Sequence, residues 1–215
     1  MKLRHDPSSS SYQRWGKRVF DLAIGVLSLP VVLPLFVILA LLVRLRLGAP
    51  VLFRQERLGF EGRSFFIRKF RSMTNALDGQ GNLLPDAKRL TATGRFLRAT
   101  SLDELPELIN VLRGEMSLVG PRPLHSRYRD RYTPQQFRRH EVSPGMTGWA
   151  QVNGRNDLSW EDKFNFDVWY VDHQSLWLDL KILGLTSLRL LSRDGINQQG
   201  QATAEEFRGS LHNGA

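Results

Sequence analysis

A stretch without a single charge runs from Leu22 to Val43, with Pro30 and Pro34 near its middle and cations at both ends. Arg14, Lys17 and Arg18 precede it, and Arg44 and Arg46 follow. As a straight helix it would measure about 33 Å, enough for a hydrocarbon core of ~30 Å. Cations favour the cytoplasmic side of a bilayer, and here both flanks carry them. Each proline lacks an N–H and removes a helical hydrogen bond, so the chain is expected to bend there. Two arrangements are open. A helix–break–helix can enter one leaflet and return, keeping both ends on one side, or a proline-kinked helix can span. The re-entrant arrangement accommodates the charges better, and residues 14–47 are assigned to it. Carbonyls freed near Val26 and Pro30 cannot stay bare in lipid, and Ser28 can bond back one turn. A signal peptide is disfavoured, because the run is too long and Arg44 follows it with no small-residue cleavage site.

At 215 residues the chain suits one globular domain besides the membrane element. The expected organisation is a flexible lead-in over 1–13, the membrane element, a cytoplasmic catalytic domain over 48–197 and a polar tail over 198–215. The formal charge of +9 suits anionic lipid, phosphorylated substrates or nucleic acid equally. No recognisable nucleic-acid motif accompanies it, so nucleic acid is not an expected partner. The absence of cysteine excludes disulfides and thiolate metal sites.

The expected fold class is α+β, mainly helical with a small β-hairpin. Val51–Arg54 and Ser64–Phe70 read as strands around a turn at Gly59–Gly62. Asn75–Leu90 reads as a surface loop and Arg95–Thr100 as a short helix or turn. Ser101 is expected to open a helix that runs to Arg113, with Gly114 as its C-terminal stop. Pro121-Arg122-Pro123 is a rigid turn, and Ser126–Gln136 is partly helical. The glycine-rich segment Pro144–Arg155 reads as loop. Helices are expected over Ser159–Val171 and Leu176–Leu191, the second of an apolar character suited to a membrane interface.

The Ser-Leu-Asp-Glu-Leu-Pro segment at 101–106 carries the chemistry. Ser101 with Glu104 matches a capping box, and acids suit a helix N-terminus, so a structural role is available to the pair. Around it stand Lys69, Arg71, Arg98 and Arg122, the last held between two prolines. Two carboxylates, a metal ion and fixed cations are the parts that phosphoryl transfer requires. Asp179 lies in Leu176-Trp177-Leu178-Asp179-Leu180, where an unpaired carboxylate is costly, so a cation or a metal is expected beside it.

Four segments together resemble the bacterial sugar transferases of the monotopic phosphoglycosyl transferase family. They are KRVFDLAIGVLSLPVVLP, FRQERLGFEGRSFFIRKFRSM, LTATGRFLRATSLDELPELINVLRGEMSLVGPRP, and RRHEVSPGMTGWAQVNGR with SWEDKFNFDVWYVDHQSLWLDLKIL after it. They cover roughly residues 17 to 197, and the nearest likeness is to the short members that transfer phospho-N,N′-diacetylbacillosamine. The resemblance implies transfer of a phosphosugar from a UDP-sugar to polyprenyl phosphate at the cytoplasmic face of the bacterial inner membrane, with release of UMP. It implies Asp103 as nucleophile, Glu104 working with Mg²⁺, and Asp103 and Glu104 as the metal ligands. Lys69, Arg98 and Arg122 are implied as phosphate-binding residues and Asp179 as a supporting one. The partners implied are the UDP-sugar, polyprenyl phosphate and membrane lipid, and a homodimer is left open. One departure is that the family's Ser-Pro break reads Ser28-Leu29-Pro30 here.

Overall fold

The computed structural model describes residues 11–154, 158–192 and 206–209. A π-helical turn at Tyr12–Gly16 leads into α1 (Lys17–Leu47), followed by β1 (Leu52–Leu58) and β2 (Ser64–Phe70). Then come α2 (Asp86–Arg89), α3 (Ala92–Ala99), a 3₁₀ turn at Leu102–Glu104, α4 (Glu107–Arg113) and β3 (Ser117–Val119). A 3₁₀ stretch at Ser126–Arg131, α5 (Pro134–Phe137), a further 3₁₀ turn at Arg138–Glu141, β4 (Gly145–Thr147), α6 (Trp149–Asn153), α7 (Trp160–His173) and α8 (Leu176–Ser192) follow. The mainly helical α+β class holds, and two two-stranded sheets make up the β content.

α1 is long and apolar enough to cross a membrane. Helical conformation runs through both prolines as one element, without the expected interruption. Ser28 does bond back one turn, Oγ donating to the Gly25 carbonyl at 2.8 Å, but that is not a carbonyl freed by a proline. One stripe of α1 faces the rest of the protein along its whole length. Ile24, Leu29 and Val32 join the core built by Ile67, Leu108, Val111, Val119, Tyr170 and Ile182. Further along, Leu39 and Val43 pack with Phe70 and Leu97. The opposite stripe, including Val26, Leu27, Val31, Ile38 and Leu45, is exposed although fully apolar. A helix apolar on both faces needs a second apolar environment besides the core.

The hairpin forms as expected, with β1 extended to Leu58 and pairing in register from Leu52↔Phe70 to Leu58↔Ser64. Of the aromatics expected to give it apolar contacts, Phe65 packs on the core, whereas Phe53 and Phe66 are exposed. The 75–90 segment is irregular apart from α2, a Leu77–Leu83 bridge and a bridge from Leu90 to Met73. The glycine-rich segment is not a loop. It holds β4, parallel to β3 through Ser117↔Gly145 and Val119↔Thr147, and then α6. A side chain at Gly145 or Gly148 would overlap the Gly120 backbone, so these glycines permit close contact between chain segments rather than a flexible turn.

α7 begins at Trp160 with Ser159 as its cap, Oγ accepting from Asp162 N at 3.0 Å. In α8, Leu178 and Ile182 are buried while Leu176, Trp177, Leu180 and Leu188 are exposed, so the helix is half core and half open apolar surface. Of the expected N-terminal lead-in, residues 1–10 lie outside the described residues, as do 193–205 and 210–215 of the C-terminal end. Within the expected polar tail, Phe207 is buried against Tyr128 and Phe164.

Candidate active site

The Asp-Glu pair does not sit in the first turn of a long helix. Ser101 takes a left-handed backbone (φ 56°) and makes no side-chain cap, so the capping box is absent. The 3₁₀ turn Leu102–Glu104 follows, and α4 begins only at Glu107, after Pro106. Proline has no N–H to donate to the previous turn, which moves the helix start beyond it. Gly114 ends α4 with φ 79°, as expected. A non-glycine residue held in the left-handed region costs on the order of 1–3 kcal/mol and is found disproportionately at functional sites.

Three elements deliver cations to this turn. Lys69, near the end of β2, places Nζ 2.6 Å from Glu104 Oε1 and 3.2 Å from Glu107 Oε1. Arg122 grips both Glu104 oxygens with its planar fork, a bidentate geometry unavailable to lysine. Its loop is tied down on several sides. Gly145 N donates to the Pro121 carbonyl at 2.9 Å, Arg139 to the Arg122 carbonyl at 2.7 Å and Arg57 to the Pro123 carbonyl at 3.4 Å. Arg98, in the last turn of α3, donates from Nε to Ser72 Oγ at 2.9 Å, and its charge acts on Asp103.

The carboxylates differ in their electrostatics. Burial and the neighbouring Glu104 charge push Asp103 up to about 6, against the opposing pull of Lys69, Arg98 and Arg122. For Glu104 burial acts upward too, but Arg122 and Lys69 outweigh it and hold the group well below the usual range. Glu107 is fully buried, and burial together with Glu104 raises it to about 7. Neither Glu107 oxygen has a hydrogen bond of good geometry, despite the nearby Lys69 ammonium. The turn thus carries one fixed anion, Glu104, between two carboxyls that titrate closer to neutrality.

The structure therefore brings together Asp103, Glu104, Lys69, Arg98 and Arg122, and places Asp179 elsewhere. Asp179 is completely buried on α8, where it meets Lys17 Nζ at 2.7 Å and the Tyr12 hydroxyl at 2.6 Å. The expected cation beside it is thus a lysine at the start of α1. The Tyr170 hydroxyl lies 2.8 Å from Asp179 and 3.1 Å from the Val119 carbonyl, which links Asp179 to β3. Arg71 also turns away, donating to the Leu47 and Ala49 carbonyls.

Four residues in and around the site were not singled out from the sequence. Glu107 stands three residues after Glu104, a spacing that could have flagged it. Asp21 anchors α1 to β3, accepting from Ser117 Oγ and Leu118 N, both at 3.1 Å. Arg139 and Asp167 form a buried pair at 2.7 Å, with no local sequence signal joining them.

Among the described residues no three acidic or histidine side chains are grouped to hold a metal. Magnesium needs fewer protein ligands, since it keeps waters and takes phosphate oxygens for much of its shell. The adjacent Asp103 and Glu104 fit that sparse demand.

The family described as bacterial sugar transferase matches residues 12–193. A Bacillus subtilis protein named as the uncharacterized sugar transferase EpsL is 57% identical over 196 residues, covering 90% of this chain and 96% of its own length. The UDP-galactose-lipid carrier transferase of Erwinia amylovora is 45% identical over 85% of this chain, and this match spans 42% of that protein. The UDP-glucose:undecaprenyl-phosphate glucose-1-phosphate transferase of Escherichia coli is 40% identical over 85% of this chain and 41% of its own length. With a match covering most of the chain and relatives this similar, the protein belongs to the bacterial sugar transferase family.

Proposed function

We propose that this enzyme moves a sugar phosphate from a UDP-sugar to a polyprenyl phosphate such as undecaprenyl phosphate, through a covalent intermediate on Asp103. The observation that carries the reading is a buried carboxyl on a strained turn, flanked by a lysine and two arginines, in a chain with a long apolar helix. The names of the Erwinia and Escherichia relatives support the donor and acceptor classes. Which sugar is carried is left to experiment.

In the first step an Asp103 carboxylate oxygen attacks the β-phosphorus of the UDP-sugar. The bond from that phosphorus to the bridging oxygen breaks, and UMP leaves with the oxygen and the electron pair. In the second step a phosphate oxygen of the lipid attacks the same phosphorus and displaces the Asp103 carboxylate, giving polyprenyl diphosphosugar. Splitting one transfer into two displacements is the use of a nucleophile. Arg122 and Lys69 give fixed positive charge to the turn, and Arg98 adds charge at Asp103. Held by Asp103 and Glu104, Mg²⁺ would supply charge neutralisation at the phosphates. Glu104 then serves to position Lys69 and Arg122 whether or not the metal is bound.

The product would be made at the cytoplasmic leaflet of the inner membrane, where α1 and the open faces of α8 keep the domain at the depth of a lipid phosphate. Enzyme given a UDP-sugar panel, magnesium and no lipid should release UMP and gain the mass of one phosphosugar on a peptide containing Asp103. Asp103→Asn should form no adduct and turn over nothing. UMP release that strictly requires lipid phosphate, with no adduct at short times, would favour direct transfer and reduce Asp103 to a metal ligand or base.

A further inference from the structure

The segment 206–209 packs onto the part of the domain that supports the site arginine. Phe207 is only 3% exposed and fills an aromatic socket. Its ring lies 5.0 Å from Phe164, 5.4 Å from Trp160, 5.7 Å from Tyr132 and 5.8 Å from Tyr128, centroid to centroid. Arg131 fixes this segment by its backbone, donating to the Phe207 carbonyl, and pairs with Glu206 at 2.9 Å. Arg127 reaches the same carboxylate at 3.5 Å. A buried aromatic ring held by a cation on its own carbonyl is a docked segment, distinct from a solvated tail.

The socket connects to the chemistry through a short chain of contacts. Phe164 carries the Arg139 guanidinium 5.7 Å from its ring centroid. That guanidinium is 2% exposed, is paired with Asp167 at 2.7 Å, and donates to the Arg122 carbonyl at 2.7 Å. Arg122 in turn holds Glu104. Removing Phe207 would open a void beside Phe164 and weaken the packing that fixes Arg139. The effect would reach a carbonyl between two prolines, the point from which the Arg122 fork is aimed.

We propose that Phe207 is a positioning residue, a C-terminal plug that acts through Phe164 and Arg139 to hold the Arg122 loop in its phosphate-binding geometry. The kinetic part of this inference rests on the proposed phosphosugar transfer; the structural part does not.

Two readouts separate them. Hydrogen exchange on the full-length protein reads the loop directly. Phe207→Ala should speed exchange of a peptide covering residues 117–128, and Phe207→Leu, which refills most of the volume, should restore it. Exchange there that matches the unmodified protein would overturn the proposal, whatever the reaction turns out to be. The second readout is a double-mutant cycle in UMP release, run well below the unfolding temperature of every variant. Phe207→Ala should lower kcat about tenfold in the unmodified background and less than about twofold beside Arg122→Lys, where the fork is already gone. Equal losses in both backgrounds would mean a general structural role and sink the proposal. Should Phe207→Ala fail to fold, Arg131→Gln releases the same carbonyl without a cavity and takes its place in both measurements. Absence of UMP from the unmodified enzyme with every donor would count against the transfer reaction alone, leaving exchange to decide the plug.

Discussion

Glu107 shows what burial does to a carboxyl whose neighbours are already committed. Lys69 is shared between Glu104 and Glu107, and the shorter contact goes to Glu104. Glu107 is left with burial and a nearby anion, and both raise it to about 7. An acid raised on folding keeps its proton longer in the native state than in the unfolded chain. Stability from this group is therefore highest at low pH and declines as pH climbs from the unfolded value of about 4.5 towards 7, with the full cost present above that. Glu107→Gln keeps the shape and cannot ionise. In chemical unfolding in detergent it should exceed the parent at pH 8 by on the order of 2–3 kcal/mol, with the gap closing below about pH 4. Parallel stability curves for the two proteins would mean Glu107 is ionised and satisfied. Asp103 adds a kinetic counterpart. Raised to about 6, it must be ionised to act as the proposed nucleophile, so on that proposal turnover should fall as pH drops below that value. A flat profile between pH 5 and 7 would contradict its role as nucleophile.

At the scale of elements, α1 is riveted to the domain at its N-terminal end. Arg18 donates to the Val111 and Leu112 carbonyls at 2.5 and 2.8 Å, satisfying the C-terminal end of α4. Lys17 lies between Asp21 and Asp179 in a region almost closed to solvent. Removing one partner from such a group leaves a buried charge uncompensated, which costs about 3–5 kcal/mol, whereas replacing both by apolar side chains is often close to neutral. Asp21 still faces Lys17 at 3.2 Å when Asp179 is replaced, so Asp179→Leu alone should destabilise the protein by up to that amount, and Lys17→Met with Asp179→Leu should recover part of it in denaturant unfolding. Additive losses would show that the two charges are not coupled. The same elements show what the sequence could and could not reveal. The hairpin was legible because Phe and Ile residues crowd a run bounded by glycines. Asp179 was legible as a carboxylate in need of a cation, but its partner lies more than 160 positions away, beyond any local pattern. β4 was hidden because the same glycines that signal turns also permit two backbones to touch. The start of α4 was misplaced because Ser101 and Glu104 copy a capping box that the left-handed Ser101 cannot form. Asp103, Glu104, Lys69, Arg98 and Arg122 could be picked out as chemical types, and only the fold could show that they converge.

For the whole molecule, the contacts of α1 count against a spanning arrangement. Near its start, Lys17, Arg18 and Asp21 bind α4, β3 and α8; near its end, Leu39 and Val43 pack against Phe70 and Leu97. A helix that crossed the bilayer would carry its last turns to the far side. Phe70 would follow, and with it the adjacent Lys69 and the charged site. Burying those groups in hydrocarbon is far costlier than laying the open stripe of α1 into one leaflet. The exposed Val31, Leu27 and Leu45 on α1 and Trp177 on α8 provide apolar surface for that leaflet, while the formal charge of +9 suits anionic headgroups. The chain has no cysteine, so single reporters are clean. Ser11→Cys marks the chain before α1, and Ser64→Cys marks the catalytic domain, both at exposed positions. In intact cells both should resist an impermeant thiol reagent, and both should react once the cells are opened. Labelling of Ser11→Cys alone in intact cells would place the N-terminus outside, turn α1 into a spanning helix and require the contacts between its two ends and the domain to be broken in the membrane.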